Sequence, residues 1–131
     1  MTLGSKEAGV ENPVTMEFQV AETFLSLSVV DMDRATAFYS TSLGALTTWA
    51  SPRWSSLKVA GVRIGLFANA EYGGGRVGLH FSVTNLAAAC SSIERAGGKI
   101  VTSASQVALG VVVAEVSDTE GNIFSLQEAS S

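Results

Sequence analysis

VVDMDRATAFYSTSLGA, residues Val29–Ala45, is the stretch on which the reading of the fold turns. It ends a strand, caps a helix and stops that helix. Upstream, Phe24–Val30 (FLSLSVV) alternates: Leu25, Leu27 and Val29 take one face, Phe24, Ser26 and Ser28 the other. Asp31 stands where an N-cap belongs, because its side chain can accept from a free N–H of the first turn. Met32, Ala35 and Tyr39 recur at helical spacing, and Phe38 and Leu43 extend the apolar stripe. Gly44 is a natural stop. Short strands are expected at Ala45–Ala50, Trp54–Val59 and Val62–Phe67, with Ala60-Gly61 as the turn between the last two.

The same order then recurs. Ala70–Gly75 (AEYGGG) reads as a linker, since consecutive glycines hold regular structure poorly. Arg76–Val83 is a strand with Leu79, Phe81 and Val83 on one face and Gly78, His80 and Ser82 on the other. Asn85 caps a helix whose stripe is Leu86, Ala89, Cys90, Ile93 and Ala96, and Gly97-Gly98 ends it. Strands at Lys99–Val101, Val111–Val116 and Asn122–Gln127 follow, with Asp118–Gly121 as a turn. One constant offset carries Phe24 to Gly78, Ser26 to His80, Asp31 to Asn85 and Gly44 to Gly98. A slightly longer one carries Gly61 to Gly121 and Gly65 to Ser125. Matched caps and turn glycines are the stronger sign of duplication, because they fix element lengths. At the N-terminus, residues 1–13 read as a polar leader. Val14–Val20 alternates and reads either as a short strand or as an ordered arm.

The chain has 131 residues, which suits one domain or two small modules sharing a core. With 47% hydrophobic and only 15% charged residues, disorder is not expected. Eight Lys+Arg against 12 Asp+Glu, a net charge of −4, remove the electrostatic basis for nucleic-acid binding. A single cysteine, Cys90, excludes an internal disulfide framework, and a single histidine, His80, excludes a multi-His metal site within one chain. No apolar run is long enough for a membrane span, and residues 1–23 lack the apolar core of a signal peptide. A cytoplasmic location with Cys90 reduced is therefore the expectation.

The run Val29–Ala45 resembles the first-helix signature of the vicinal oxygen chelate superfamily, which includes glyoxalase I, bleomycin-resistance proteins and extradiol dioxygenases. VTNLAAACSSIERAGGKI (Val83–Ile100) is similar to its second helix, and SDTEGNIFSLQE (Ser117–Glu128) to its closing strand. The resemblance spans roughly residues 22–129. It implies an α+β fold of two tandem βαβββ modules, about 22–69 and 76–129, forming a curled mixed sheet, or cup, with the helices on its outer face. Residues 1–20 would be a leader or N-terminal arm and 21–131 one domain. It also implies a homodimer and a small-molecule ligand, with no nucleic-acid or membrane partner.

Metal-using members of that superfamily place four ligands, on the first and last strands of each module. Here those positions read Phe24, Gly65, Gly78 and Ser125, and none is a credible ligand for a divalent ion. No metal and no cofactor are therefore expected. Strand parity lists the cup face as Phe24, Ser26, Ser28, Trp54, Ser56, Lys58, Arg63, Gly65 and Phe67 from the first module. The second gives Gly78, His80, Ser82, Ile123, Ser125 and Gln127. Glycines at 65 and 78 are expected to open space. The expected ligand-binding set is Phe24, Ser26, Trp49, Trp54, Arg63, Phe67, His80, Ser82, Ser125 and Gln127, with His80 the one candidate acid or base. Phe24 and Phe67 could equally plug the cup. Four functions stay open: sequestration of an aromatic or amphipathic molecule without a metal, a metal-free isomerase, cyclase or lyase using His80, metal-dependent lyase or dioxygenase chemistry, and a structural or regulatory role without a ligand, which a filled cup would favour.

Overall fold

The computed structural model describes residues 15–130. The leader expected over 1–13, and Val14, lie outside the described residues. Residues 15–20 form no strand, so the alternation of that stretch is not used in a sheet. The elements are β1 (Leu25–Val29), α1 (Met32–Leu43), β2 (Leu46–Ala50), β3 (Trp54–Val59) and β4 (Val62–Ala68). They are followed by β5 (Gly75–Val83), α2 (Leu86–Arg95), β6 (Lys99–Ala108), β7 (Val111–Ser117) and β8 (Asn122–Glu128). β6 runs well past the expected Val101. Both caps form: the Asp31 carboxylate accepts from the Arg34 N–H at 3.0 Å, and the Asn85 side chain from the Ala88 N–H at 3.0 Å. Gly44 closes α1 in the left-handed conformation (φ 67°), where a side chain would be strained.

Each βαβββ module makes one four-stranded mixed sheet. The orders, β1-β4-β3-β2 and β5-β8-β7-β6, are the same topology twice. In each, the first strand pairs parallel with the last and the other neighbours pair antiparallel. Register confirms the internal correspondence: Ser26 lies opposite Gly65 in the first module as His80 lies opposite Ser125 in the second.

The helices cover one face of these sheets, and alternation decides what is buried there. Leu27, Val29, Leu57, Ile64 and Leu66 of the first module, and Leu79, Ala114, Val116, Phe124 and Leu126 of the second, join Phe38, Tyr39 and Ile93 in one core. Phe38 meets Tyr39 edge to face at 4.9 Å, and Phe81 meets Phe124 likewise at 5.5 Å. The two modules thus share one apolar interior, with α1 and α2 tied by the Ser92 hydroxyl donating to Ser42 O at 2.8 Å.

A buried polar turn, Ser117–Asn122, fixes one module against the other. The Asp118 Oδ1 accepts from the Glu120 N–H (2.7 Å) and the Asn122 N–H (2.9 Å), which closes the turn locally. Its Oδ2 accepts from the Tyr39 hydroxyl of α1 at 2.6 Å. Asn122 Nδ2 donates to Ser28 O of β1 at 3.0 Å, and the Tyr72 hydroxyl of the linker donates to Asn122 Oδ1. The Glu120 carboxylate reaches across to the start of α1. It accepts from the Val30 and Asp31 N–H groups at 2.9 and 2.8 Å and from Arg34 Nε at 2.7 Å. The triple-glycine linker is held here as well. Gly75 N–H donates to Gly121 O at 2.9 Å, and a Cβ on Gly74 would lie 2.8 Å from the same oxygen. Only glycine allows that approach.

Burial alone would raise the pKa of Glu120. The Arg34 guanidinium, the Asp31 N–H, the Thr119 hydroxyl and the Val30 N–H outweigh it and lower the pKa to about 2. A carboxylate depressed in the folded state stabilises fully above its unfolded pKa and loses that contribution as the pH falls through the folded value. The acid limb between about pH 4.5 and 2 therefore carries this group. Glu120→Gln is expected to lower stability at pH 7 by roughly 2–3 kcal/mol and to flatten the loss of stability between about pH 5 and 2. Urea unfolding at a series of pH values measures both.

Candidate functional site

The face turned away from the helices carries the candidate residues, and it divides into two clusters. In the first module Trp54 governs the geometry. Its ring lies across Gly65, so that a Cβ there would collide with the six-membered part of the indole. The Trp54 Nε1–H donates to Ser56 Oγ at 3.1 Å. Phe24 meets Trp54 edge to face at 6.2 Å. The Arg63 guanidinium carbon sits 4.0 Å from the centre of the Phe24 ring. That arginine also bonds Glu22 at 3.0 Å and Ser56 at 3.4 Å. Gly65 therefore does not open space, contrary to the expectation from the sequence: the neighbouring tryptophan fills it. Phe24 and Phe67 lie on the same face and are 41% and 42% exposed.

The remaining residues of the first module lie around this cluster. Ser26 is exposed and faces Gly65 across the parallel ladder. Phe67 lies between Ser28 and Trp54 in register. Trp49 belongs to the edge strand β2, opposite Ser56, and is 64% exposed.

In the second module His80 stands beside Ser125 and Ser82 beside Gln127. His80 and Ser82 are exposed, and Ser125 and Gln127 half-buried. Gly78 does open space, since a Cβ there would meet nothing within 4 Å. The same face holds Glu115, opposite Ser125, which the sequence reading missed. Its carboxylate takes Arg76 in a two-point bond (2.9 and 3.0 Å) and the Thr102 hydroxyl at 3.1 Å, and hydrogen bonds from these two hold its pKa down. The signal was there in the parity of β7, where Val113 and Glu115 alternate with Ala114 and Val116.

β1 and β5 are edge strands of their respective sheets, and between the modules lies a cavity of about 490 Å³. Leu25, Val59, Ala60, Val62 and Ile64 line it from the first module. Gly78, Leu79, His80, Phe81 and Ser82 line it from the second. Of the expected ligand-binding set, His80 and Ser82 reach this cavity, and the Trp54–Phe24–Arg63 cluster does not. Its aliphatic walls, the β3–β4 hairpin among them, were read only as strand and turn, because their use depends on how the modules meet.

The four positions at which metal-using relatives place ligands offer two bare backbones, a phenyl ring and one hydroxyl, with an indole over one of them. Among the described residues no three His, Cys, Asp or Glu side chains group as a metal site would need. This donor set does not fit a divalent ion. Cys90 is no substitute, because burial and then Glu94 push its thiol pKa up.

Two βαβββ modules of one topology, meeting around a cavity, define the class. The Glyoxalase/Bleomycin resistance protein/Dioxygenase superfamily matches residues 20–126, and the chain belongs to it. No curated protein matches the chain by sequence. Similar solved structures include a family enzyme from Burkholderia phytofirmans PsJN (20% identity, 80% of this chain and 95% of that one, TM-score 0.70). The bleomycin resistance determinant encoded on transposon Tn5 is 17% identical over 86% of this chain and 100% of that one, with a TM-score of 0.67. A fosfomycin resistance protein from Listeria monocytogenes, solved with Mn(II), is 15% identical over 86% of this chain and 93% of that one, with a TM-score of 0.72. At these identities the likeness is one of fold.

Gly65→Ala is expected to destabilise the protein by about 1–3 kcal/mol, because the new methyl must displace the Trp54 ring. In a Trp54→Ala background the same change is expected to cost much less. Chemical denaturation of the four proteins in this cycle measures the coupling.

Proposed function

We propose that this chain binds a small molecule without a metal and sequesters it, the ligand being an aromatic or amphipathic metabolite or antibiotic. The observation that carries this reading is the inter-module cavity. Its volume of about 490 Å³ falls in the usual range for small-molecule pockets. Its walls are aliphatic and aromatic, with His80 and Ser82 as sparse polar groups. The poor fit of the four ligand positions to a metal supports the metal-free part. Membership of a superfamily that contains bleomycin-resistance proteins supports sequestration. Phe24, Ser26, Trp49, Trp54, Arg63, Phe67, Ser125 and Gln127 would then form the approach to the cavity on either side.

The reading extends to a homodimer in the cytoplasm, with residues 21–131 as one domain and 1–20 as an arm. Leu46 and Trp49 on the edge strand β2 are each 64% exposed, which favours a covering copy. Among the described residues no helix is long and apolar enough to cross a membrane.

A second reading, a metal-free isomerase, cyclase or lyase, is favoured by the placement of His80 on the cavity wall beside Ser125. His80 would move the proton, and Ser82, Ser125 or Gln127 would orient the substrate. His80→Asn separates the two readings: turnover lost with binding kept indicates catalysis, whereas a ligand bound and returned unchanged by the wild type indicates sequestration.

The cavity itself is tested by Gly78→Leu. The site has room for a side chain and the φ is not left-handed, so the variant is expected to fold with a Tm within a few degrees of wild type. Thermal shift in EDTA, with bleomycin, fosfomycin and a set of aromatic metabolites, should give at least one ligand that raises the wild-type Tm. That rise should be absent in Gly78→Leu. No stabilising ligand, or equal stabilisation of the variant, would contradict the proposal.

A further inference from the structure

On the helix side of the first sheet lies a second cavity, of about 500 Å³, separate from the one between the modules. It is bounded by the first turn of α1, the end of β2 and the β2–β3 turn. Its wall carries two acids, Asp31 and Asp33, and no Lys, Arg or His. Arg34, the nearest cation on α1, is turned away to Glu120. Asp31 uses Oδ1 to cap the helix. Among the described residues Asp33 has no ion-pair partner.

A helix start with two acids is an ordinary feature, and Ser55 is what makes this one different. Ser55 lines the cavity from β3, opposite Ala50 of the edge strand, and is 0% exposed. Its Oγ has no hydrogen-bond partner. The following residue on that face, Leu57, is apolar and fully buried, as the position would lead one to expect. A buried hydroxyl without a partner is unfavourable unless something satisfies it. Ser42, the other such hydroxyl among the described residues, lines neither cavity. The neighbouring hydroxyls are engaged: Thr36 bonds Met32 O and Asp33 O at 3.0 Å each, and Ser51 bonds Trp54 O at 2.7 Å. The polar groups of the wall that bond no other side chain or backbone group among the described residues are therefore the buried Ser55 hydroxyl, the exposed Thr47 hydroxyl and carboxylate oxygens of Asp31 and Asp33. Met32, Ala50 and Pro52 supply apolar wall.

We propose that the cavity between α1 and the β2–β3 turn binds a small organic cation, a protonated amine paired with Asp33 and Asp31, whose body places a hydrogen-bonding group against Ser55. The wall itself carries two carboxylates and no cation, which disfavours an anion; the one cation of the bounding turn, Arg53, is exposed and does not line the cavity. A divalent ion is disfavoured because two carboxylates and hydroxyls fall short of the oxygen ligands it needs.

The test is a ¹H–¹⁵N NMR titration with tyramine and, as the matched anion, 4-hydroxyphenylacetate. Tyramine is expected to shift the amides of Met32–Thr36 and Ser51–Ser55 with a Kd below about 1 mM, and the anion to leave them unmoved. Asp33→Asn, which leaves the Asp31 cap intact, should weaken tyramine about fivefold or more. Ser55→Ala should keep or raise the Tm while also weakening tyramine, a combination that a purely structural serine would not give. Shifts confined to Gly78–Ser82, equal binding of the anion, or an Asp33→Asn variant that binds as tightly as wild type would overturn the proposal. So would the absence of any tyramine shift.

Discussion

Everything about the site depends on the buried turn Ser117–Asn122. The two sheets belong to different modules, and their facing edge strands, β1 and β5, share no ladder. Their relative position is set by the common core and by Asp118, Glu120 and Asn122. From a single turn of the second module these three grip the end of β1, the start of α1 and the linker. The apolar core alone would tolerate sliding, since its contacts are not directional. Charged hydrogen bonds are directional, and buried ones are costly to break. The turn therefore ties the two modules together by directional bonds in addition to their shared core. The corresponding turn of the first module, Ala60-Gly61, has no such acids and is free to line the cavity.

The duplication is exact in topology and unequal in use. At Gly65 the missing side chain is replaced by a neighbour's indole, and the first module presents an aromatic and cationic surface around Trp54, Phe24 and Arg63. At Gly78 nothing replaces it, and the space joins the cavity beside His80. Equivalent glycine-for-ligand positions thus have opposite consequences. The difference lies in one residue of β3, Trp54, long enough to lie over the adjacent strand. The two modules therefore present different chemistry on equivalent faces: aromatic and cationic around Trp54, open backbone beside His80.

Much of the fold was legible because it is written in local chemistry. Asp31, Gly44 and Asn85 mark helix ends by hydrogen bonding and backbone freedom that depend only on near neighbours. Alternation in Phe24–Val30 and Val62–Phe67 assigned faces correctly, since parity needs no tertiary information. Two points could not be settled by local pattern, for a common reason. The length of β6 beyond Val101 comes from pairing with β7 and not from its own pattern. The alternation of Val14–Val20 has no strand to pair with over its described part. The site was legible as a face and not as a cavity: parity placed His80, Ser82 and Trp54 on the right side of their strands. It could not show that an indole crosses to Gly65, or that Leu25, Val59 and Val62 would meet β5 across a gap.

The claim on which the functional reading rests is that this member of the superfamily has given up the metal seats and kept the cavity. Elemental analysis by mass spectrometry, on protein purified without chelators, addresses it directly. Divalent metal well below one equivalent per chain, unchanged after incubation with Mn(II) or Zn(II) and desalting, is the predicted result. A stoichiometric ion retained through desalting would contradict it and would assign the site to residues other than Phe24, Gly65, Gly78 and Ser125.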